Sequence, residues 1–148
     1  MQAVLDATLR AADTGRAMSQ ENVEVVRRTM DAYNARDLPA YFDLLSESVR
    51  FQSRFSAMGR VYHGHDDLRR YFAELDEVWF RYEMRVLRLV PAGRQVAALC
   101  HLYAVGRGSD LQVEENSAIV FTVEAGKIVR IDAYPTHAEA LDAAGLRD

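Results

Sequence analysis

The sequence predicts an α+β fold, in which a strongly curved, mostly antiparallel sheet wraps over three N-terminal helices and a short helix follows. Apolar residues recur every three or four positions in the first half of the chain, and they alternate with polar ones from Trp79 onward. Helices followed by an antiparallel run of strands favour α+β over alternating βαβ units. Such a sheet forms a cone with an apolar interior, and 148 residues suffice for one domain of this kind.

The first two helices are predicted around residues 19–45. The apolar face of the first helix consists of Val23, Val26, Met30 and Tyr33. We expect this helix to start near Ser19, and we interpret residues 1–18 as a flexible extension that precedes a single domain of residues 19–148. Met18 is an alternative translation start. Asp37 is expected to cap a second helix that Pro39 opens.

A strand and a third helix follow. Beyond Ser46 the apolar period drops to two, which predicts a strand whose buried face carries Val49, Phe51, Ser53 and Phe55. This places one polar residue, Ser53, on a face that the helices must cover. Asp66 is expected to cap the third helix, whose apolar stripe consists of Leu68, Tyr71, Phe72 and Leu75.

Four further strands complete the sheet. They are predicted from Trp79, over residues 95–105, over residues 111–123 and over residues 127–134, with a tight turn at Ala125–Gly126. A capping box of Thr136 and Glu139 opens the last helix, which Gly145 closes.

Composition excludes several functional classes. A net charge of −4 offers no basic face for nucleic acid. No apolar stretch is long enough to span a bilayer, so no membrane partner is expected. The lone cysteine, Cys100, fits a reducing compartment, and we expect a cytoplasmic protein. His63 and His65 have a spacing that metal sites also use, but the sequence places no third ligand, so we expect neither a metal nor a cofactor.

Four segments resemble the SnoaL-like branch of the nuclear transport factor 2-like superfamily. They are YNARDLPAYFDLLSESVRF, RVYHGHDDLRRYF, FTVEAGKIVRIDAY and HAEALDAAGL, in that order over nearly the whole chain. The resemblance implies a cone with a deep pocket, and often a homodimer through the outer sheet face. It also implies a choice among ketosteroid isomerases, polyketide cyclases, epoxide hydrolases, dehydratases and members without any reaction.

The resemblance argues against a steroid-type isomerase. It places Thr29 at the position of the isomerase tyrosine, Ser53 at that of the base and Asn116 at that of the acid. A serine cannot hold a proton taken from carbon near neutral pH, because its pKa does not suit that task. Tyr33 lies one turn from Thr29 and can supply a hydroxyl, yet the proton acceptor is still missing.

The most suggestive ionisable pair is His101 with Glu115. A hairpin centred near Gly108 would place these two residues opposite each other, so that the carboxylate orients the imidazole as a general base. Strand alternation leaves the direction of the pair open. One face, suited to the cone interior, would carry Ala98, Cys100, Leu102, Asn116, Ala118, Val120, Ile131 and Ala133. The other, suited to solvent or a subunit interface, would carry His101, Tyr103, Glu115, Ser117, Arg130, Asp132 and Tyr134.

The sequence thus predicts a pocket protein for an apolar or aromatic small molecule. It is a cofactor-free cyclase, isomerase or hydrolase if His101 and Glu115 face inward as the catalytic pair. The alternative is a non-catalytic dimeric module that binds a ligand or a partner. The residues expected to line the pocket are Thr29, Tyr33, Phe51, Ser53, Phe55, Met58, Trp79, Cys100, Asn116 and Ala133.

Overall fold

The protein is described by a computed structural model that covers residues 2–53 and 60–146, with side chains from residue 15 onward. The helices in this part are α1 Gln2–Ala35, α2 Leu38–Asp43, α3 Gly64–Val78 and α4 His137–Ala143. The strands are β1 Leu45–Gln52, β2 Val61–His63, β3 Trp79–Ala92, β4 Gln95–Gly106, β5 Gln112–Glu124 and β6 Lys127–Tyr134. They form one six-stranded sheet of order β2-β1-β6-β5-β4-β3. Only β1 and β6 pair in parallel among the neighbours. The predicted α+β fold is confirmed.

The N-terminal helix is longer than predicted. It runs without a break from Gln2 to Ala35, so the start expected near Ser19 is wrong. Gly15 is the only residue of residues 9–18 with a strong cost in a helix interior, and a cost of about 1 kcal/mol does not stop a helix. Whether residues 1–18 lie outside the domain remains a prediction. The cap of α2 is as predicted, because Ala40 N donates to the Asp37 carboxylate over 3.3 Å.

The sheet has an inner face that the helices cover and an outer face that α4 partly covers. Val49, Phe51 and Ser53 are buried as predicted, whereas Phe55 lies outside the described residues. The inner face of the later strands belongs to the main core. A second apolar cluster lies on the outer face and contains Ala97, Leu99, Ala118, Val120 and, from α4, Ala140.

This second cluster corrects the predicted faces of β5. Ala118 and Val120 were expected inside, but they lie under α4, while Ser117, Ile119 and Phe121 are buried toward the helices. Both faces of β5 are apolar at this point because each is covered by a helix layer. Apolar alternation therefore could not distinguish them. The predicted faces of β4 and β6 are confirmed, since Cys100 and Ile131 lie in the main core.

The turn into α3 also differs from prediction. The short strand β2 was not predicted, and α3 begins directly after it. His63 N donates to the carboxylate of Asp67 over 2.9 Å, so Asp67 rather than Asp66 satisfies the free backbone donor there. Gly64 adopts φ +80° and lies against Glu47 O, which favours glycine at this position.

The edge strand β3 is closed to further pairing by three features. Phe80 and Leu87 are its two bulged residues, and their side chains are 65% and 57% exposed. Between them, the side-chain amide of Asn34 on α1 donates to Met84 O and accepts from Met84 N, both over 2.9 Å. The amide takes the place of a neighbouring strand, so it protects the edge and fixes α1 against the sheet.

Candidate functional site

A small cavity lies inside the cone, between the inner sheet face and the first three helices. Its volume is about 20 Å³, enough for one water molecule. Seven apolar residues line it, namely Met30, Phe51, Met84, Ile119, Phe121, Ile131 and Ala133. Five hydroxyl-bearing residues complete the lining, namely Tyr33, Ser53, Tyr41, Tyr71 and Tyr82. The cavity therefore combines apolar walls with an unusual density of hydroxyl groups.

Each hydroxyl reaches the cavity from a different element. Tyr33 follows Met30 by three residues on the buried face of α1, and Tyr71 belongs to the buried stripe of α3. Tyr41 comes from α2, while Tyr82 comes from β3. The rings support one another, since the Tyr33 ring lies 5.6 Å from that of Tyr82 and 5.9 Å from that of Tyr41. Such contacts hold the rings in defined orientations.

The Tyr71 hydroxyl is the centre of a hydrogen-bonded cluster. Ser53 Oγ donates to Tyr71 Oη over 3.2 Å. Burial raises the pKa of Tyr71, whereas hydrogen bonds from Ser53, Tyr33 and Tyr82 and the positive charge of Arg36 act in the opposite direction. These partners stabilise negative charge on the Tyr71 oxygen and make it the most polar point of the cavity wall.

Two other cavity tyrosines, Tyr33 and Tyr41, remain neutral near physiological pH. Burial, followed by the charges of Tyr71 and Tyr82, raises the pKa of Tyr33 well above its usual value. Burial likewise raises the pKa of Tyr41, with a further contribution from Tyr71. These hydroxyls can therefore donate hydrogen bonds or protons, but they cannot act as bases.

Arg36 places a positive charge behind the tyrosines. It follows α1 in the left-handed conformation, with φ +57°. Its guanidinium carbon lies 5.6–5.8 Å from the ring centroids of Tyr33, Phe72 and Tyr82. Nη2 lies 3.5 Å from the Asp76 carboxylate, while Nη1 is buried and makes no hydrogen bond within the described part of the chain.

The residues predicted to line the pocket separate into three groups. Those that line the cavity are Tyr33, Phe51, Ser53 and Ala133. Those described but absent from its lining are Thr29, Trp79, Cys100 and Asn116. Phe55 and Met58 lie outside the described residues.

The residues of the second group have other surroundings. Thr29 Oγ1 donates to Val25 O over 2.7 Å, within its own helix. Cys100 is buried in the main core, and burial raises the pKa of its thiol to about 12, so it is not a nucleophile near neutral pH. Trp79 is likewise a core residue, whereas Asn116 is exposed on the outer face.

The predicted opposition of His101 and Glu115 is wrong by one residue. His101 pairs with Asn116, and Glu115 pairs with Leu102. The imidazole lies on the outer face, with Nδ1 3.3 Å from Asn116 Oδ1 and Nε2 3.2 Å from Glu114 Oε1. The reason is the connection between β4 and β5, which shifts the register by a single position relative to a hairpin centred on Gly108. His101 and Glu115 therefore do not form a pair inside the cone.

Sequence reasoning overlooked Tyr41, Tyr71, Tyr82 and Arg36 as members of the site. Tyr71 was predicted only as part of the apolar stripe of the third helix, and no role in the site was assigned to the other three. A usable signal existed, because tyrosine recurs on inward-facing positions of four elements, and each buried tyrosine hydroxyl needs a partner. No such signal exists for Arg36, since its placement depends on where α1 ends.

The described residues show neither a metal site nor a spanning helix. No group of three His, Cys, Asp or Glu side chains within residues 15–53 and 60–146 is arranged to bind an ion. His65 instead lies within 3.2 Å of Leu45 O and of Ser46 O, and its ring packs on Phe42. None of the helices is apolar over the length that crossing a bilayer needs, as far as the structure describes them.

Sequence comparison decides the family. The SnoaL-like domain matches residues 26–131, which extend from the buried face of α1 to Ile131 on the cavity wall. The chain belongs to the SnoaL-like domain family. This agrees with the resemblance of the four segments. Among proteins with curated functions, none matches this SnoaL-like chain.

Solved structures share the fold of this SnoaL-like protein at low sequence identity. A proposed SnoaL-like polyketide cyclase from Jannaschia is 22% identical, with a TM-score of 0.68, over 86% of this chain and 92% of its own. A hypothetical protein with a ketosteroid isomerase-like fold from Catenulispora acidiphila, in complex with trimethylamine, is 16% identical, with a TM-score of 0.68, over 84% and 94%. TerC, co-crystallised with polyporic acid, is 12% identical, with a TM-score of 0.71, over 84% and 98%.

Proposed function

We propose that this SnoaL-like protein binds an apolar or aromatic small molecule inside the cone, with the tyrosine hydroxyls holding an oxygen of that molecule. The observation that carries this proposal is the convergence of five hydroxyl-bearing residues on one apolar cavity. Four of these hydroxyls form one hydrogen-bonded cluster around Tyr71, and this cluster gives a ligand oxygen a polar contact inside an otherwise apolar space. Apolar pockets with a few convergent polar groups are typical ligand sites.

The ligands of similar folds support this proposal. One neighbour was crystallised with trimethylamine and another with polyporic acid. At their low identity they do not identify the ligand of this protein. They support a small organic molecule as the occupant of such a cone.

Ligand entry requires side chains to move, because a cavity of about 20 Å³ holds only one water molecule. Met30 and Met84 line the cavity, and methionine is the apolar side chain that adapts most easily to a new shape. We expect these two side chains to change rotamer when a ring enters. The aromatic walls would then remain in place and contact the ligand.

The described lining supplies hydrogen-bond donors but no strong base. No carboxylate and no imidazole is among the described residues that line the cavity. Residues 54–59, which follow Ser53, contain neither in their sequence. If the protein is an enzyme, it performs cofactor-free acid–base chemistry in which tyrosine polarises a substrate oxygen. Cyclisation, isomerisation, hydration and hydrolysis fit when water or the substrate itself accepts the proton.

A ligand screen tests the proposed function. Planar polycyclic, steroid-like, epoxide and fatty compounds are added during thermal unfolding. A ligand at a hundredfold its dissociation constant adds about 2.7 kcal/mol to the unfolding free energy, and raises the midpoint by about 5–10 °C. Tyr71→Phe should weaken a compound that binds through oxygen about three- to tenfold, because one hydrogen bond is lost.

Tyr103→Phe is the matched control, since Tyr103 does not line the cavity. This variant should bind as tightly as the wild type. An unchanged midpoint with every class of compound would contradict the proposed function. So would equal losses of affinity in the two variants.

We further propose that two copies associate through the outer sheet face. On β3 and β4, Arg85 lies opposite His101 and Glu83 lies opposite Tyr103, with Glu114 on the adjacent strand. When positive and negative side chains lie on the same face, those of one copy can form ion pairs with those of a second copy related by a two-fold axis. This orientation of His101 favours an assembly role over a catalytic one.

Sedimentation equilibrium tests the association. Arg85→Glu should raise the dimer dissociation constant at least about tenfold, because it replaces an attraction by like charges. Arg28→Glu on the exposed face of α1 is the control, and it should leave the constant unchanged. A wild-type protein that remains monomeric throughout the measured concentration range would exclude this interface.

A further inference from the structure

We infer that Arg36 makes the cavity selective for an anionic oxygen, a phenolate or an enolate, over an ammonium group on a molecule of similar size. The inference rests on the proposed function, because it concerns the ligand of the same cavity. It names the charge of that ligand and the residue that determines it. No contact between Arg36 and the ligand is required, since the charge acts through the tyrosines.

The aromatic lining by itself would favour a cation. Tyr33, Tyr41, Tyr71, Tyr82 and Phe51 surround the space, and no carboxylate among the described residues lines it. Aromatic rings attract ammonium groups through their electron-rich faces. A cage of this composition is therefore ambiguous, and the nearest fixed charge decides its preference.

That fixed charge is positive. The guanidinium of Arg36 lies 5.7 Å from the Tyr33 ring and 5.8 Å from the Tyr82 ring, and both of these rings line the cavity. The faces of both rings are thus already used by a cation. An ammonium ligand would compete for the same rings and be repelled by the same charge.

Asp76 does not cancel this charge on the cavity side. Its carboxylate approaches Nη2 at 3.5 Å, and its side chain is 63% exposed, so solvent screens it. Nη1, in contrast, is buried and has no hydrogen-bond partner among the described residues. The side chain of Arg36 is 33% exposed, and it borders an outer groove together with Asp76, Asp31, Arg81 and Glu83, none of which lines the cavity. The positive charge near the aromatic rings is therefore only partly paired, because Asp76 approaches Nη2 alone.

The hydroxyl cluster around Tyr71 also favours an anionic oxygen over an ammonium group. Ser53 donates to Tyr71 Oη, and Tyr33 and Tyr82 also hydrogen-bond to it. The charge of Arg36 lowers the pKa of Tyr71 against the effect of burial, in agreement with the position of the guanidinium near the rings of Tyr33 and Tyr82. A phenolate that accepts a hydrogen bond from one of these hydroxyls would join the cluster and feel the same charge.

Three aromatic probes of similar size and different charge test the inference. They are a 4-nitrophenol, its methyl ether and a phenyltrimethylammonium ion, titrated by calorimetry at a pH where the phenol is ionised. We expect the wild type to bind the phenolate at least about tenfold more tightly than the ether, and the ammonium ion more weakly than the ether. Near the pKa of the free phenol, absorbance should show a larger ionised fraction when the phenol is bound.

Arg36→Met should remove the phenolate preference while the ether affinity changes less than about twofold, because the stem is retained and the charge is lost. Arg36→Lys should retain part of the preference. Arg81→Met is the matched control on the groove side, and it should behave as the wild type. If Arg36→Met does not fold, Arg36→Lys and the three wild-type affinities still decide the question.

The outcomes separate this inference from the proposed function. Ammonium binding at least as tight as phenolate binding would overturn the inference, as would an unchanged phenolate preference in Arg36→Met. Ether binding without any charge preference would overturn the inference alone. If none of the probes binds and the broader screen is also negative, both the inference and the proposed function fail.

Discussion

Raising the pH from about 9 to about 12 is expected to unfold this protein cooperatively, because its buried tyrosines must ionise in the unfolded chain. Tyr33, Tyr41 and Tyr71 all have a pKa raised by burial above the usual value of 10.0. In the native state they keep their protons above pH 10. An unfolded chain loses the same protons near that pH, so alkali favours unfolding.

Stability falls as the pH rises because the native state holds more protons than the unfolded state in this range. Each raised pKa contributes stability that is fully present below the unfolded value and lost as the pH rises toward the native one. Above pH 10 these three tyrosines alone make the unfolded state bind about three protons fewer than the native state, and they lower the unfolding free energy by about 4 kcal/mol per pH unit. The Cys100 thiol, with a pKa raised by burial from 9.0 to about 12, adds to this loss from pH 9 upward. A typical domain has about 5–15 kcal/mol in total.

Denaturant titrations at several pH values measure this slope, and absorbance of tyrosinate reports ionisation in the same samples. Unfolding and the ionisation of the buried tyrosines should occur together. Tyr41→Phe should reduce the slope by about 1.4 kcal/mol per pH unit, since one buried tyrosine is removed. Ionisation of all tyrosines near pH 10 with intact secondary structure would contradict the prediction.

Replacing Phe72 by alanine should lower the unfolding free energy by about 3–5 kcal/mol, because a large ring is removed from a close-packed core. The Phe72 side chain is 3% exposed. The centroid of its ring lies 5.3–6.2 Å from those of four neighbours, which are Tyr33, Tyr41, Phe42 and Tyr71. It also lies 5.6 Å from the Arg36 guanidinium.

Phe72 therefore holds the tyrosines and the cation in one arrangement. Chemical denaturation measures the loss, and Phe80→Ala is the matched control. Phe80 is 65% exposed on β3, so its truncation should change stability by less than about 0.5 kcal/mol. Similar losses for both variants would show that the ring cluster around Phe72 is not packed as described. Phe72→Leu, which retains most of the volume, should fold and still weaken ligand binding through looser tyrosines.

Local sequence determined most of the secondary structure. The spacing of Val26, Met30 and Tyr33 requires a helix that buries one face, and the alternation of Val49, Phe51 and Ser53 requires a strand. Side-chain direction within an element depends on neighbours a few residues away. It was therefore predictable for β1, for the stripe of α3 and for the capped start of α2 at Asp37.

The pairing register between strands and the direction of side chains from the sheet were harder to predict from the sequence. A shift of one residue between β4 and β5 moved Glu115 away from His101, and no local pattern encodes such a shift. The faces of β5 were misassigned because α4 covers Ala118 and Val120 from outside. Because α4 follows β5 in the chain, the apolar alternation of β5 alone could not show which of its faces is covered by α1 to α3.

The sequence by itself determined the fold class, the family, and the burial of Tyr33, Ser53 and Tyr71, because periodicity and segment order are local properties of the chain. Only the tertiary structure decided that the buried hydroxyls meet at one cavity and that His101 lies on the opposite face of the sheet. It also decided that the guanidinium of Arg36 lies behind the tyrosine rings. Such convergence depends on how α1, α3 and β3 cross in space, and residues distant in the chain set that geometry.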